Sequence, residues 1–409
     1  IDDAARRILR VKFELGLFDD PYKYCDLSRE NKILGNQNLH DASLDMAKKS
    51  IVLLKNQNQI LPLKKEGLNI ALIGDLANDK TSPLGNWILA AEKNSAVSVL
   101  EGLKSYSGNN VEFSVGTKLN IGALEFAKEL KINTTDKSDF DVALKLAKTS
   151  DVVVMVLGEH GLQSGEGRSR TNIGLPGLQQ ELLEAVYNVN KNIVLVLNNG
   201  RPLVLNWANK HIPAIVEAWQ LGSQSGNAIA QVLYGDYNPS GKLPMTFPRD
   251  VGQVPIYYNY KSTGRPTLPS PGEVFWTHYQ DEENTPLYPF GYGLSYTTFK
   301  YKNLKIQSQT DTSIEVSVEV TNTGNLEGKE VVQLYVKDHF ARPAQAVRNL
   351  KGFELINLKP GATKTVQFLL TEKELGFYDN NGDFTLQTGE FSVFVGVDST
   401  ADLSTNFSL

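Results

Sequence analysis

The chain has 409 residues, of which 41% are hydrophobic, and a formal net charge of -5 at pH 7. A chain of this length is too long for one hydrophobic core, so we expect two domains. Its Lys and Arg residues are scattered, which excludes an extended basic surface for nucleic acid. Since no apolar run reaches the roughly 20 residues that cross a bilayer, we predict no membrane-spanning helix. The single cysteine, Cys25, excludes a multi-thiolate metal site, and such cysteine poverty is compatible with a secreted or periplasmic protein.

Residues 1–20 begin the chain with an amphipathic helix. Its apolar positions recur at helical spacing, and Gly16 supplies a stop. These apolar positions are Ile1, Ala4, Ile8, Val11 and Leu15. The adjacent sequence offers the helix no partner. Residues 21–65 are predicted to be a connector that contains a helix near 41–50 and a short apolar strand at 51–54.

Residues 66–240 alternate short apolar runs with helical stretches, which is typical of a mostly parallel sheet covered on both faces. This pattern predicts an α/β sandwich domain of about five or six strands between helices. The predicted strands lie at 70–74, 111–115, 151–157, 193–197 and 214–218, and helical periods fit 143–147, 178–189 and 225–234.

The composition of the chain changes at about residue 241, and its pattern of apolar residues changes again at about residue 299. Residues 241–298 are rich in Pro and aromatic residues, which predicts a long linker that packs along neighbouring domains. Residues 299–409 show apolar and polar residues in alternation, with turn signals at the spacing of a β-sandwich. We predict an immunoglobulin-like or fibronectin type III-like domain there, so the whole chain is α/β plus all-β.

The loop after strand 151–157 carries the strongest candidates for chemistry. It contains two carboxylates, an imidazole and two guanidinium groups at the end of a buried strand, where ligands of open α/β sheets usually bind. Glu166 lies between two glycines, which allow its backbone to approach a partner surface closely. Glu159 competes for the same role, and Arg168 and Arg170 are predicted to orient a carboxylate or bind a substrate. The alternative interpretation is a solvated, charged loop without chemistry.

Other catalytic machinery finds little support in the sequence. His160 is a candidate substrate contact, but it lacks a nucleophile-elbow Ser or Cys, and a hydrogen-bonded structural histidine is the simpler interpretation. None of the five His residues has metal-ligand spacing. The residues after the strand ending at Gly74 form neither a P-loop nor a dinucleotide fingerprint. We therefore predict no metal and no cofactor.

Several aromatic residues could bind a sugar, because the apolar faces of sugar rings stack on aromatic rings. The candidates are Trp87, Trp276 and Tyr279. Asp281 lies in an acidic stretch beside Tyr279 that could cap a neighbouring active site. The alternatives are ordinary packing for the aromatic rings and a solvated turn for the acidic stretch.

Three longer segments resemble glycoside hydrolase family 3, in particular its three-domain bacterial β-glucosidases. They read SIVLLKN at 50–56, YGDYNPSGKLP at 234–244 and YPFGYGLSY at 288–296. The resemblance implies an N-terminal (β/α)8-type barrel that carries an aspartate nucleophile, and an α/β domain whose loop carries a glutamate as general acid/base. The SGEG sequence at 164–167 matches that loop, so the resemblance assigns this role to Glu166, with Glu159 as an alternative or supporting carboxylate.

The same resemblance implies a retaining, exo-acting β-glycosidase that removes terminal sugars from β-glucosides and oligosaccharides by double displacement. The first helix would be the last helix of the barrel, which would be the partner of this chain within one protein. Expected localisation is periplasmic or secreted, and a homodimer is compatible with the sequence. The alternatives are a non-catalytic carbohydrate-binding or structural assembly, a β-xylosidase and a glycoside phosphorylase of the same fold.

Overall fold

The computed structural model describes residues 1–88, 91–265, 273–310 and 312–409. Three helices precede the first domain: α1 (Asp2–Glu14), α2 (Leu27–Leu34) and α3 (Gln37–Ser50). Helix α1 has no buried residue, and its apolar side chains Ile8, Val11 and Phe13 are exposed by 61%, 53% and 74%. The helix predicted at the start of the chain is therefore present, and none of its residues is buried against the rest of the described chain.

The first domain is built on a sheet that has six strands within the described ranges, in the order β1-β6-β5-β4-β2-β3. These strands are β1 (Val52–Asn56), β2 (Glu66–Ile73), β3 (Gly108–Ser114), β4 (Val152–Gly158), β5 (Ile193–Asn198) and β6 (Ala214–Glu217). The helices are α4 (Val99–Lys104), α5 (Phe140–Thr149), α6 (Gln179–Val189), α7 (Asn206–His211) and α8 (Ser225–Leu233). The neighbours within β3-β2-β4-β5-β6 are parallel, which confirms the predicted mostly parallel sheet between helices.

Both faces of this sheet are covered, which explains why β4 and β5 are continuous apolar runs. Successive residues of β4 alternate between two cores: Val154 belongs to the core under α4 and α8, and Val153 to the core under α5 and α6. Burial of such runs on both faces is the main stabilising contribution to the domain.

The edge strand β1 comes from the segment that the sequence assigned to the connector. Val52 pairs with Glu217 of β6 in antiparallel orientation, so the sheet begins before residue 66. The short apolar run at 51–54 was recognised as a strand, but its partner lies more than a hundred residues away in the sequence.

Both ends of the predicted 241–298 linker pack against the α/β domain, and its residues 266–272 lie outside the described ranges. The backbone N–H of Leu243 donates to Tyr292, and that of Phe247 donates to Tyr288. Leu243, Phe247 and Tyr288 are all buried in the core under α5 and α6. This segment therefore belongs to the packed structure rather than to a solvated tether.

The C-terminal domain is a β-sandwich whose two main sheets have the orders β10-β9-β14-β15 and β11-β8-β7 in the described residues. Its elements are β7 (Phe299–Thr310), β8 (Ser313–Asn322), β9 (Gly328–Asp338), β10 (Asn349–Leu358), β11 (Thr363–Leu370), α9 (Glu372–Leu375), β12 (Phe377–Tyr378), β13 (Phe384–Thr385), β14 (Glu390–Gly396) and β15 (Leu403–Ser408). Alternate residues of β8 are buried, which confirms the predicted sandwich pattern. A buried ion pair of 2.9 Å between Lys242 Nζ and Glu330 Oε1 joins the linker to β9.

None of the helices in the described ranges is both long enough and apolar enough to cross a membrane.

Candidate active site

Several buried polar side chains collect at the edge of the sheet where the parallel strands β4, β5 and β6 end. Glu159 follows β4, Asn198 and Asn199 lie at the end of β5, and Glu217 is the last residue of β6. Parallel strands bring their carboxyl ends to one edge, which is the usual ligand-binding edge of open α/β sheets. Buried polar groups at this position require partners, because an unpaired polar group costs free energy in a protein interior.

Glu159 is fully buried and is the centre of a charge network. Its Oε1 lies 2.5 Å from Arg170 Nη1 and 3.0 Å from Arg201 Nε. Its Oε2 accepts a hydrogen bond of 2.9 Å from Ser164 Oγ. Two guanidinium groups thus supply countercharge to one buried carboxylate, and the three partners tie together residues before and after Glu166. The geometry makes Glu159 an anchor of the loop.

Glu166 lies at the exposed tip of the same loop. The flanking Gly165 and Gly167 have φ values of +124° and +68°, a region in which L side chains are strained. A Cβ on Gly165 would lie 2.1 Å from Asn86 Nδ2, so the base of this arm also requires a residue without a side chain. Within the described parts of the chain, the Glu166 carboxylate has neither a hydrogen bond nor an ion pair. We call residues 164–167 the acid arm.

Arg168 and Arg170 point to different partners. Arg170 binds Glu159 and also donates to the Gly174 carbonyl at 3.1 Å. Arg168 donates to the Phe126 carbonyl, and its guanidinium carbon lies 5.7 Å from the centre of the Phe126 ring. The Phe126 ring in turn lies 6.1 Å from that of Trp87, which is 65% exposed. We call the Trp87 and Phe126 rings the aromatic shelf, and Arg168 contacts this shelf at Phe126. Arg170 belongs instead to the buried network of Glu159.

His160 is turned inward. It is only 6% exposed, and its Nδ1 accepts a hydrogen bond of 3.1 Å from the Leu162 backbone N–H. Its Nε2 faces Asp79 Oδ2 at 3.9 Å. Burial lowers the pKa of this imidazole, although the neighbouring Asp79 and Asp75 act in the opposite direction. This geometry is that of a neutral histidine that shapes the start of the loop.

The predicted contacts Trp276, Tyr279 and Asp281 lie in a second group. The Tyr279 hydroxyl donates to the Gly252 carbonyl at 3.4 Å, Trp276 is half-buried and Asp281 is exposed. The adjacent Glu282 accepts a hydrogen bond of 3.1 Å from Asn206 at the start of α7. Tyr279 and Glu282 thus connect this group to the 249–253 segment and to α7, and in the described part of the chain no hydrogen bond joins Trp276, Tyr279 or Asp281 to the acid arm.

Three residues of the site carry roles that the sequence did not reveal. Arg201 follows β5 and reaches the loop after β4, Phe126 forms the shelf with Trp87, and Glu217 is fully buried at the end of β6. Once the order of the strands is known, Arg201 is a candidate for contact with the loop after β4, because it follows the neighbouring strand β5. Phe126 lies in a stretch without periodicity and gave no signal.

The Glu217 carboxyl group accepts two hydrogen bonds, one of 2.9 Å from the Trp219 backbone N–H and one of 3.1 Å from Asn199 Nδ2. Burial raises its pKa to about 8, and the nearby Glu159 carboxylate adds to this effect. Burial thus favours the protonated form of Glu217, while the hydrogen bond from the Trp219 N–H ties its carboxyl group to the turn in which Trp219 has a φ of +50°.

As for metals, no group of three or more His, Cys, Asp or Glu side chains is arranged for an ion in the ranges 1–88, 91–265, 273–310 and 312–409. The chemistry available at this edge of the sheet is that of carboxylates, guanidinium groups and aromatic rings. A general acid/base can be mounted on the acid arm, whereas the buried network holds the arm in place.

Comparisons with known proteins identify relatives of both domains. The family described as "Glycosyl hydrolase family 3 C-terminal domain" matches residues 51–296, and a "Fibronectin type III-like domain" matches residues 330–399. The chain is 42% identical to a periplasmic beta-glucosidase of Salmonella typhimurium over 100% of its own length and 55% of the relative's. It is 41% identical to a beta-xylosidase of Formosa agariphila over 98% of its own length and 54% of the relative's.

Among solved structures, a beta-glucosidase of Listeria innocua in complex with isofagomine superposes with a TM-score of 0.87 at 35% identity. The superposition covers 100% of this chain and 55% of that protein. The chain thus spans about half the length of the curated relatives it matches.

Proposed function

The chain belongs to glycoside hydrolase family 3, and from this premise we propose that it is the C-terminal part of a retaining, exo-acting β-glucosidase. In this proposal Glu166 is the general acid/base. An N-terminal (β/α)8-type barrel of the same protein supplies the aspartate nucleophile. The substrates are β-linked glucosides and oligosaccharides, from which the enzyme removes the terminal non-reducing glucose.

The observation that carries the proposal is the contrast between the two carboxylates of the loop. Glu159 is fully buried between two guanidinium groups, a setting that suits an anchor. Glu166 is exposed on an arm with a positive-φ glycine on each side. A carboxyl that must alternately donate and accept a proton at a substrate needs access to that substrate, and the exposure of Glu166 supports this role.

The proposed reaction has two steps. Protonated Glu166 donates its proton to the glycosidic oxygen while the barrel aspartate attacks the anomeric carbon, so that the leaving alcohol departs and a glycosyl-enzyme forms. The Glu166 carboxylate then removes a proton from water, which attacks the anomeric carbon and frees the aspartate. Retention requires the two carboxyl groups to lie roughly 5 to 5.5 Å apart. Because this chain is proposed to hold one of the two, we expect residues 1–409 alone to give no turnover.

The leaving group of the substrate is proposed to lie on the aromatic shelf. Trp87 offers an exposed ring to an apolar sugar face, and Arg168 lies beside Phe126 at the other end of the shelf. Trp276, Tyr279 and Asp281 stay predicted substrate contacts in a separate group. The name of the Salmonella relative supports the proposal of a periplasmic location.

A second substrate class has a specific observation in its favour, because the Formosa relative named beta-xylosidase is nearly as similar as the Salmonella beta-glucosidase. The two activities differ by the hydroxymethyl group of glucose. Comparing kcat/KM for aryl β-glucoside and aryl β-xyloside decides between them. Stimulation of turnover by phosphate would instead indicate a phosphorylase.

The assignment of Glu166 is tested in the full-length protein by Glu166→Gln, with Glu112→Gln on β3, another exposed carboxylate, as the matched control. General acid catalysis contributes about 10²- to 10⁴-fold, so kcat/KM for cellobiose should fall in that range. With dinitrophenyl β-glucoside, whose leaving group departs without a proton, kcat/KM should be nearly retained. Equal losses on both substrates, or intact activity on cellobiose, would contradict the assignment. Intact activity is what a non-catalytic carbohydrate-binding assembly predicts.

A further inference from the structure

Arg201 holds both ends of the acid arm with one side chain. Its Nη2 donates to the carbonyl oxygen of Gln163, which precedes the arm, and to that of Arg168, which follows it, the latter at 2.7 Å. Its Nε lies 3.0 Å from Glu159 Oε1 and 3.2 Å from Oε2. One planar guanidinium group therefore joins the two ends of the arm to the buried carboxylate.

The arm has few other contacts that could fix it. Ser164 donates to Glu159 at its first residue, and the Arg168 N–H closes a turn by donating to the Gly165 carbonyl at 3.2 Å. Around Gly167 there is open space, since a Cβ built there would meet nothing within 4 Å. The position of Glu166 thus depends on how firmly the two ends of the arm are held.

Arg201 is itself held by the neighbouring strand end. Asn199 Nδ2 donates to the Arg201 carbonyl at 2.7 Å and to Glu217 Oε2 at 3.1 Å. A Cβ on Gly200 would lie 2.4 Å from Ser164 Oγ, so the backbone before Arg201 lies directly against the base of the arm. The clamp is thus mounted on the ends of β5 and β6, two strands in which every residue is buried.

We infer that Arg201 is a positioning residue, which sets the place of the Glu166 carboxyl by clamping the arm at Gln163 and Arg168. This inference rests on the proposed role of Glu166. Only a guanidinium group has several donors in one rigid plane, so one side chain can bind two carbonyls and a carboxylate together. A lysine at this position retains the charge for Glu159 but loses the fixed fork.

The test uses the full-length protein with Arg201→Lys and compares kcat/KM for cellobiose with kcat/KM for dinitrophenyl β-glucoside. Because a misplacement of about 1 Å can cost roughly 10²-fold, we expect a loss of about 10- to 100-fold on cellobiose. The dinitrophenyl substrate needs no proton for departure and should lose much less. The ratio of the two values does not depend on the fraction of folded enzyme, so it separates positioning from a general loss of structure. Arg201→Gln provides a second variant and should change the ratio in the same direction.

Arg348→Lys in the β-sandwich is the matched control. The Arg348 guanidinium also donates to two backbone carbonyls, those of Ser399 at 2.9 Å and Ala401 at 2.8 Å, but neither belongs to the acid arm or to the network of Glu159. We expect its ratio of the two kcat/KM values to stay near that of the wild type. Equal losses on both substrates for Arg201→Lys, or no loss, would overturn the inference. Glu166→Gln measured in parallel separates the two hypotheses: a ratio unchanged there refutes the role of Glu166, whereas a ratio changed there but not in Arg201→Lys refutes the clamp alone.

Discussion

Replacing Glu159 with glutamine should weaken the fold of the α/β domain, although the substitution changes one atom. The carboxylate is fully buried, and the side chains of Arg170 and Arg201 that face it are 19% and 20% exposed. Two unit charges at the observed 3.0 Å attract each other by roughly 5 kcal/mol at an effective dielectric constant of about 20. The desolvation of the ions offsets much of this attraction in the wild type. Removal of the carboxylate charge alone leaves two mostly buried cations without countercharge, a change that costs about 3 to 5 kcal/mol.

Equilibrium unfolding in urea provides the assay. Because the α/β domain and the β-sandwich have separate cores, Glu159→Gln should lower the midpoint of the α/β transition more than that of the sandwich. Glu166→Gln is the matched control, since this exposed carboxylate has no partner in the described chain, and its free energy of unfolding should change by no more than about 0.5 kcal/mol. Equal midpoints for wild type and Glu159→Gln would refute the anchoring role of Glu159.

Three further predictions test other parts of the structure. Burial raises the pKa of Glu217 from 4.5 to about 8, so the folded state keeps a proton that the unfolded state releases, and this group makes stability fall as pH rises through that interval. Glu217→Gln removes this pH dependence, so the free energy of unfolding of the variant relative to wild type should increase by a few kcal/mol between about pH 5 and pH 8. A difference in free energy of unfolding that does not change with pH would contradict this prediction. Gly165→Ala places a methyl group 2.1 Å from Asn86 Nδ2 at a φ of +124°, and we expect it to lower the free energy of unfolding by about 1 to 3 kcal/mol. Gly167→Ala should cost less, because the space around position 167 is open. Thermal unfolding of both variants tests this difference. Trp87→Ala should raise KM for cellobiose more than KM for a simple alkyl β-glucoside. Because the Trp87 ring is 65% exposed, the midpoint of unfolding should stay unchanged. A lowered midpoint would mean that the ring supports the fold instead.

Much of the fold could be predicted because its signals are local. The run at 152–157 is apolar throughout, since β4 is covered on both faces, and β8 alternates because one face of it is buried. The position of the loop with Glu159 and Glu166 could also be predicted, because this loop comes directly after a buried strand. By contrast, membership of β1 in the sheet depends on pairing with β6, and no local pattern specifies a partner so far along the chain.

The difference in burial between Glu159 and Glu166 could not be predicted from the residues alone. It depends on which side chains meet Glu159, and Arg201 meets it only because β5 lies next to β4 in the sheet. The pairing of β5 with β6, in turn, brings Asn199 and Glu217 together at this edge of the sheet. Sequence spacing identified the loop and its glycines, whereas the order of the strands decided which carboxylate is buried.

The most direct measurement of the central claim is the product that the full-length Glu166→Gly variant forms from dinitrophenyl β-glucoside in the presence of azide. Without the Glu166 carboxylate, water is no longer activated to attack the glycosyl-enzyme, but azide needs no general base. We expect azide to restore turnover and the product to be β-glucosyl azide, with the configuration of the substrate retained. Unchanged turnover without azide, or a variant that azide does not rescue while Glu159→Gly is rescued, would contradict it.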